Sequence, residues 1–154
     1  MLPPIIFTCL IAYLLVSLKE DAHAQVSGCT VAQAKRADSE TDILHSWGAL
    51  YKWYRAFRHC DDGGIAEGIS EDVGRILADR WSTLPEFAQL GRQDARFKKF
   101  VIRHIDATLI DDDLKQIQKN AITKCPPWLQ DICGELGKEA NTALAESGYP
   151  ITKS

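Results

Sequence analysis

Apolar residues return every three or four positions along most of this chain, and that period sets its structural class. Ile43, Trp47, Leu50, Tyr54 and Phe57 alternate spacings of four and three. Phe97, Phe100, Val101, His104 and Ile105 follow the i, i+3, i+4, i+7, i+8 pattern of one helix face. Leu114, Ile117, Ala121 and Ile122 carry another face toward Lys124, and Leu129, Ile132, Cys133, Leu136, Ala140 and Leu144 carry the last. Ile65, Ile69, Val73, Ile76 and Leu77 form a further face, which Gly68 and Gly74 weaken. No stretch alternates with period two, and Asp62-Gly63, elsewhere a hairpin signal, stands between helical patterns. The expectation is an all-α domain, a compact bundle of five to six helices.

Local signals place the breaks. Gln25 to Lys35 reads as an extended or irregular arm tethered by Cys29, and Ser39 or Thr41 caps the helix that follows. The aromatic stripe of that helix (Trp47, Tyr51, Tyr54, Phe57, with Trp53 beside it) is core or interface before it is a ligand box. Ser70-Glu71-Asp72 is an internal helix start, so a turn precedes it and a helix runs on to Trp81. Thr83-Leu84-Pro85-Glu86 opens a short helix stopped by Gly91. Asp106 to Leu109 is a connection, and Asp111-Asp112-Asp113 puts negative charge on a helix N-terminus, where it is favourable.

The N-terminal segment is different in kind. Ile5 to Leu18 is almost wholly apolar, and small residues follow at Ala22 and Ala24. An apolar run closed by an A-x-A site predicts a signal peptide over 1–24, cut before Gln25, leaving a single domain over 25–154. The run is about fourteen residues, short of the roughly twenty that span a bilayer. No Lys or Arg precedes it, and a membrane anchor is the rival reading. Cys9 lies inside the run without lipobox neighbours. Export places the remaining cysteines in an oxidising compartment.

Those cysteines are Cys29, Cys60, Cys125 and Cys133, and four allow three pairings. Cys29–Cys60 with Cys125–Cys133 is favoured, because each pair closes a short loop. Eight residues of helix span about 12 Å, too far for a disulfide. Cys125 must then precede the helix that holds Cys133, and the following Pro126-Pro127 turns it away from the α region. A zinc site is the rival, but no C-x2-C spacing is present.

A search for chemistry returns little. The sequence has 18 basic and 21 acidic residues; setting aside Lys19, Glu20 and Asp21 leaves 17 against 19, with no basic block. Nucleic acid and anionic membrane are therefore poor partners. No H-E-x-x-H, G-x-S-x-G, Walker loop or G-x-G-x-x-G occurs. His45 and His59 are read onto one helix about 21 Å apart, and His104 reads as a satisfied core histidine. His59-Cys60 is the one tempting catalytic pair, and a bridged Cys60 removes it. Glu146-Ser147 only weakly suggests a muramidase-like carboxylate. The expectation is a protein that is not an enzyme and holds no cofactor or metal. Two acidic loops remain as candidate partner contacts. One is Asp61, Asp62, Gly63 and Gly64; the other runs from Asp106 to Asp111, Asp112 and Asp113.

The centre and C-terminal part carry a resemblance. Asp79-Arg80-Trp81, Leu84-Pro85, and the run from Phe97 to Ile105 are followed by Asp111-Asp112-Asp113-Leu114, Ile117, Asn120-Ala121, Cys125-Pro126 and Cys133. This order resembles the type VI secretion amidase immunity proteins, the fourth such family, over roughly Cys60 to Leu136. The resemblance implies an exported, all-helical inhibitor of the Gram-negative periplasm, commonly a homodimer. It implies as partner a cognate amidase effector, a papain-like peptidase that cuts peptidoglycan stems and whose cleft a loop plugs. Contact residues vary with the effector in that family, so none is carried over individually. The rival readings are another periplasmic binding module, such as a lysozyme inhibitor or a small-ligand carrier, and a helical cell-wall hydrolase. A large apolar cavity between the helices would favour the carrier.

Overall fold

The computed structural model describes residues 28–148, so the predicted leader lies outside the described residues. Seven α-helices follow one another: α1 (Val31–Ser39), α2 (Trp47–Phe57), α3 (Gly63–Asp79), α4 (Leu84–Gln93), α5 (Ala95–Arg103), α6 (Asp111–Thr123) and α7 (Gln130–Glu146). Single 3-10 turns join several of them, and no strand occurs among the described residues. The chain is all-α, as its period requires.

The helix beyond the expected five or six is α1, where an irregular arm was predicted. Thr30 and Gln33 form a capping box: Thr30 Oγ1 accepts from the Gln33 amide at 3.2 Å, and Gln33 Oε1 accepts from the Thr30 amide at 2.9 Å. The apolar face of α1 is narrow, with Ala37 its one buried residue, which is why its period was faint. Neither Ser39 nor Thr41 caps α2. Thr41–Ile43 makes only a 3-10 turn with Ile43 exposed, and Ser46 Oγ caps α2 by accepting from Ala49 N at 3.3 Å. His45 therefore precedes α2 and His59 follows it, so the two share no helix.

The α2 stripe is core. Trp47, Leu50, Trp53, Tyr54 and Phe57 are all buried, and the rings of Trp47, Trp53 and Tyr54 meet Phe87, Phe97 and Phe100 of α4 and α5 at centroid distances between 4.8 and 6.2 Å. The Trp53 indole N–H donates to Ala37 O at 3.0 Å, tying α2 to α1. Trp53 is thus no interface anchor, whereas Trp128 is 75 % exposed.

α3 runs unbroken through Ser70, against the expected internal start. Gly63 opens it at φ +52°, a conformation a side chain resists, and the Asp62 carboxylate accepts from Gly63 N at 2.9 Å. Gly74 stays helical because a neighbour needs the space: a Cβ there would lie 2.6 Å from Leu109 Cδ2. α4 likewise passes through Gly91 and ends at Asp94, whose carboxylate caps α5 through the amides of Arg96 and Phe97.

α6 and α7 pack side by side, with Gly137 against Ala121. Asn120 is fully buried, and its amide donates to Leu77 O and Ala78 O at 3.1 and 2.9 Å, supplying partners for the last turn of α3. Ile122, read from the sequence as part of the α6 face, points outward at 77 % exposure. Two disulfides close the ends of the fold. Cys29–Cys60 ties the approach to α1 to the approach to α3, with Cα atoms 5.0 Å apart. Cys125–Cys133 spans the 3-10 turn before α7, with Cα atoms 6.0 Å apart.

Candidate functional site

The two acidic loops, distant in sequence, meet along α3. One face of α3 presents Gly64, Glu67, Gly68, Glu71, Arg75 and Asp79 at helical spacing, and Thr108, Leu109, Ile110 and Asp113 line the groove with them. The groove encloses about 780 Å³. A hollow of about 280 Å³ adjoins it through Glu67 and Thr108, lined also by Asp61, Asp62, Ser70, Arg103, His104 and Asp106. A third, of about 140 Å³, adjoins it through Arg75 and Asp79 and adds Leu44, His45, Asp72, Ile76 and Arg80. Together they form one trough lined by eight carboxylates and three arginines.

Five of the predicted contact residues line this trough: Asp61, Asp62, Gly64, Asp106 and Asp113. The other three have local duties. Gly63 supplies the positive φ at the start of α3. Asp111 accepts from Ser147 Oγ at 3.0 Å, joining α6 to the end of α7. Asp112 faces solvent and pairs with Lys115 at 3.3 Å. The sequence reading missed the α3 stripe of Glu67, Glu71, Arg75 and Asp79. Its signal was present as charged residues at spacings of four on the face opposite Ile69, Val73 and Ile76.

A buried polar chain joins the loops at one end. Asp61 receives Arg103 and His104 on the same oxygen, with His104 Nε2 at 3.3 Å. His104 Nδ1 lies 2.9 Å from Ser70 Oγ, and Ser70 donates to Asp106 Oδ2 at 3.0 Å. Asp106 Oδ1 accepts from the Thr108 amide and hydroxyl, which folds the connecting loop. Burial pushes the Asp61 carboxyl up, but the His104 hydrogen bond and charge, followed by Arg103, outweigh it and hold Asp61 below the usual carboxylate range.

Proton counting describes the same chain. A carboxylate only accepts, so the one Ser70 proton points to Asp106, and His104 Nδ1 must then donate to Ser70. Every contact is met when His104 also carries a proton on Nε2, facing Asp61. Serine, histidine and aspartate stand here in the order of a hydrolytic triad. Yet Ser70 is 2 % exposed inside α3, and its proton is committed to a carboxylate rather than to the imidazole. The arrangement is a latch between α3 and the α5–α6 connection.

The opposite end is strained electrostatically. Burial raises the Asp72 carboxyl to about 6, although Arg75 donates to it at 2.8 Å. Burial, then the nearby Asp79, also raises Asp113. In both groups lost hydration leads, and neighbouring carboxylates add to it: Glu71 at Asp72, and Asp79 with Asp112 at Asp113.

Among the described residues, one set of three metal-ligand side chains gathers within 4.8 Å, namely Cys29, His59 and Cys60. Both sulfurs are bridged and offer no thiolate, which removes the zinc reading there and the Cys60 nucleophile with it. No helix among the described residues is long and apolar enough to cross a membrane. Comparison with family models, curated proteins and solved structures finds no match.

Proposed function

We propose that this chain is an exported immunity protein that binds a cognate type VI secretion peptidoglycan amidase and occludes its active site, sparing the cell that makes it. The observation that carries this reading is the meeting of the two acidic loops. The Asp61–His104–Ser70–Asp106 latch holds them together in one charged surface, as a protein-recognition element requires. Two disulfides support an oxidising compartment, and we assign the predicted leader to periplasmic delivery. On this reading the protein works as a binding module, as a homodimer, with no catalytic residue or cofactor of its own.

The residues that carry the family resemblance fit that role. Trp81 donates its indole N–H to Lys124 O at 3.0 Å, and Asn120 binds the end of α3, so both are fasteners of the helical body. A carrier of apolar ligands is less well supported, since charged side chains line the 780 Å³ groove on the outside of α3.

The test is a pull-down against the products of neighbouring reading frames, one of which should be a small Cys/His peptidase that cleaves peptidoglycan. Nanomolar binding with loss of its amidase activity supports the reading. Failure to bind any neighbouring product removes it. Turbidity loss when this protein alone meets purified peptidoglycan would favour the hydrolase instead.

A further inference from the structure

Ser70 has one proton for two neighbours. Its hydroxyl oxygen lies 2.9 Å from His104 Nδ1 and 3.0 Å from Asp106 Oδ2. An ionised carboxylate only accepts, so both contacts stand together only while Nδ1 carries a proton of its own. Asp61 asks the same of the other ring nitrogen, since its carboxylate faces Nε2 at 3.3 Å. The closed latch therefore holds a doubly protonated imidazole, and loss of either proton breaks one of its two seams.

The surroundings decide which seam gives way. The Asp61 side chain is 3 % exposed, and its Oδ1 has no partner among the described residues. A bare Nε2 lone pair would add repulsion to that buried charge. Asp106 is only half-buried on the wall of the hollow, and its Oδ1 keeps the amide and hydroxyl of Thr108. Water can take the place of Ser70 there. The proton that leaves is then the one on Nδ1: the ring keeps Nε2–H toward Asp61, and Ser70 turns its own proton back to Nδ1. Ser70 supplies the one side-chain hydrogen bond from α3 to the Asp106–Leu109 turn among the described residues. Without it the turn rests on Leu109 beside Gly74. The other charged groups of the hollow are Arg103, which stays on Asp61, and Asp62 and Glu67, both exposed. The Phe100 ring, 4.5 Å from the imidazole, brings no charge.

We infer that His104 works the latch as a proton switch. Doubly protonated, it holds the Asp106–Leu109 turn to α3 through Ser70; on losing its Nδ1 proton to solvent, it releases the turn and keeps Asp61. No partner enters the switch, so its success or failure leaves the inhibitor reading untouched.

The experiment follows ring and turn together, by NMR of the isotope-labelled protein from about pH 5 to about pH 9. Long-range proton–nitrogen correlations report which ring nitrogen of His104 is bare. The neutral ring should be bare at Nδ1, and the amides of Asp106 to Leu109 should shift with the same midpoint as the ring. Their hydrogen exchange, corrected for its intrinsic pH dependence, should quicken by about tenfold. In Ser70→Ala, whose fold a melt by circular dichroism verifies, the turn should exchange fast at every pH and its amides should no longer follow the ring. Asp72 lies on the same helix and titrates at about 6. Turn amides that still follow pH in Ser70→Ala would assign the response to Asp72 and overturn the switch. H45Q/H59Q removes two exposed histidines and should leave the response intact; its loss there overturns the switch as well. In the unaltered protein, three results would each do the same: a ring that keeps both protons throughout, a neutral ring bare at Nε2, or turn amides that stay fixed while His104 titrates.

Discussion

Asp61 and His104 meet side chain to side chain at 3.3 Å across 43 positions of sequence, and both side chains are almost wholly buried. The contact closes the gap between the start of α3 and the end of α5, so it decides where the two acidic loops sit. His104→Ala should therefore cost more than a surface change. It leaves Asp61 buried with Arg103 as its remaining charged partner, strips Ser70 of its donor, and opens space beside Phe100, whose ring lies 4.5 Å away. A loss of about 3 kcal/mol in urea unfolding is expected. Ser70→Ala keeps the packing and should cost about 1–2 kcal/mol. It should also weaken inhibition of a bound amidase, because it removes the link between His104 and the Asp106 loop.

The two buried carboxylates predict opposite responses to pH. Asp61 titrates below its unfolded value of 3.8, so its contribution is full above that value and is lost as pH falls through the folded one. Asp61→Asn should be the less stable protein at pH 7, with the gap closing as pH falls below 3.8. Asp72 titrates at about 6, above 3.8. Its contribution is full below 3.8 and lost as pH rises through about 6. The melting temperature of Asp72→Asn relative to the unaltered protein should therefore rise between pH 4 and pH 8, by on the order of 2–3 kcal/mol in stability. A difference that stays flat across that range would contradict the assignment.

Much of this architecture was legible because helical period is a strong signal where the buried face is wide. α2 and α7 bury five residues each and α5 buries Phe97, Phe100 and Val101; α5 and α7 were placed within a turn or so, whereas the start of α2 was set about two turns early, at Ser39 or Thr41. α1 escaped because its burial is confined to Ala37 and its stability comes from a capping box and a disulfide. Ser70 misled because serine before acidic residues signals a cap in water, while here tertiary contacts bury it mid-helix against His104 and Asp106. Both disulfides match the pairing favoured among the three that four cysteines allow. The loops Asp61–Gly64 and Asp106–Asp113 were visible as composition, but their adjacency depends on long-range bonds between Asp61, Arg103 and His104, which no local pattern encodes. The α3 stripe was missed because attention to its apolar face left the charged face unread.

Glycines within the helices should respond to alanine in opposite directions. At Gly74 the new Cβ meets Leu109, which is buried at 5 %, and must displace it. Overpacking of that kind costs about 1–3 kcal/mol, against a gain of about 1 kcal/mol in helix propensity. Gly74→Ala should be neutral to destabilising, and amide shifts at Thr108 to Ile110 should report movement of the trough wall. Gly134, inside α7, has nothing within 4 Å of its Cβ position. Gly134→Ala should raise stability by about 0.5–1 kcal/mol without moving those amides.

Loop closure separates the two disulfides. Cys29–Cys60 closes a separation of 31 residues and Cys125–Cys133 one of 8. The entropy such a link removes from the unfolded chain corresponds to about 3.7 and about 2.5 kcal/mol respectively. Replacing Cys29 and Cys60 together by serine should thus cost roughly 1 kcal/mol more than replacing Cys125 and Cys133. The first pair carries a second consequence: it anchors the residues just before α1 to those just before Asp61, so its loss frees one end of the latch. In the C29S/C60S protein, hydrogen exchange should quicken at Asp61 to Gly64 and in α1 before it quickens elsewhere. In C125S/C133S the early exchange should instead map to the turn from Pro126 to Gln130. Faster exchange at Asp61 to Gly64 in both proteins alike would mean that the first bridge holds no privileged place in the trough.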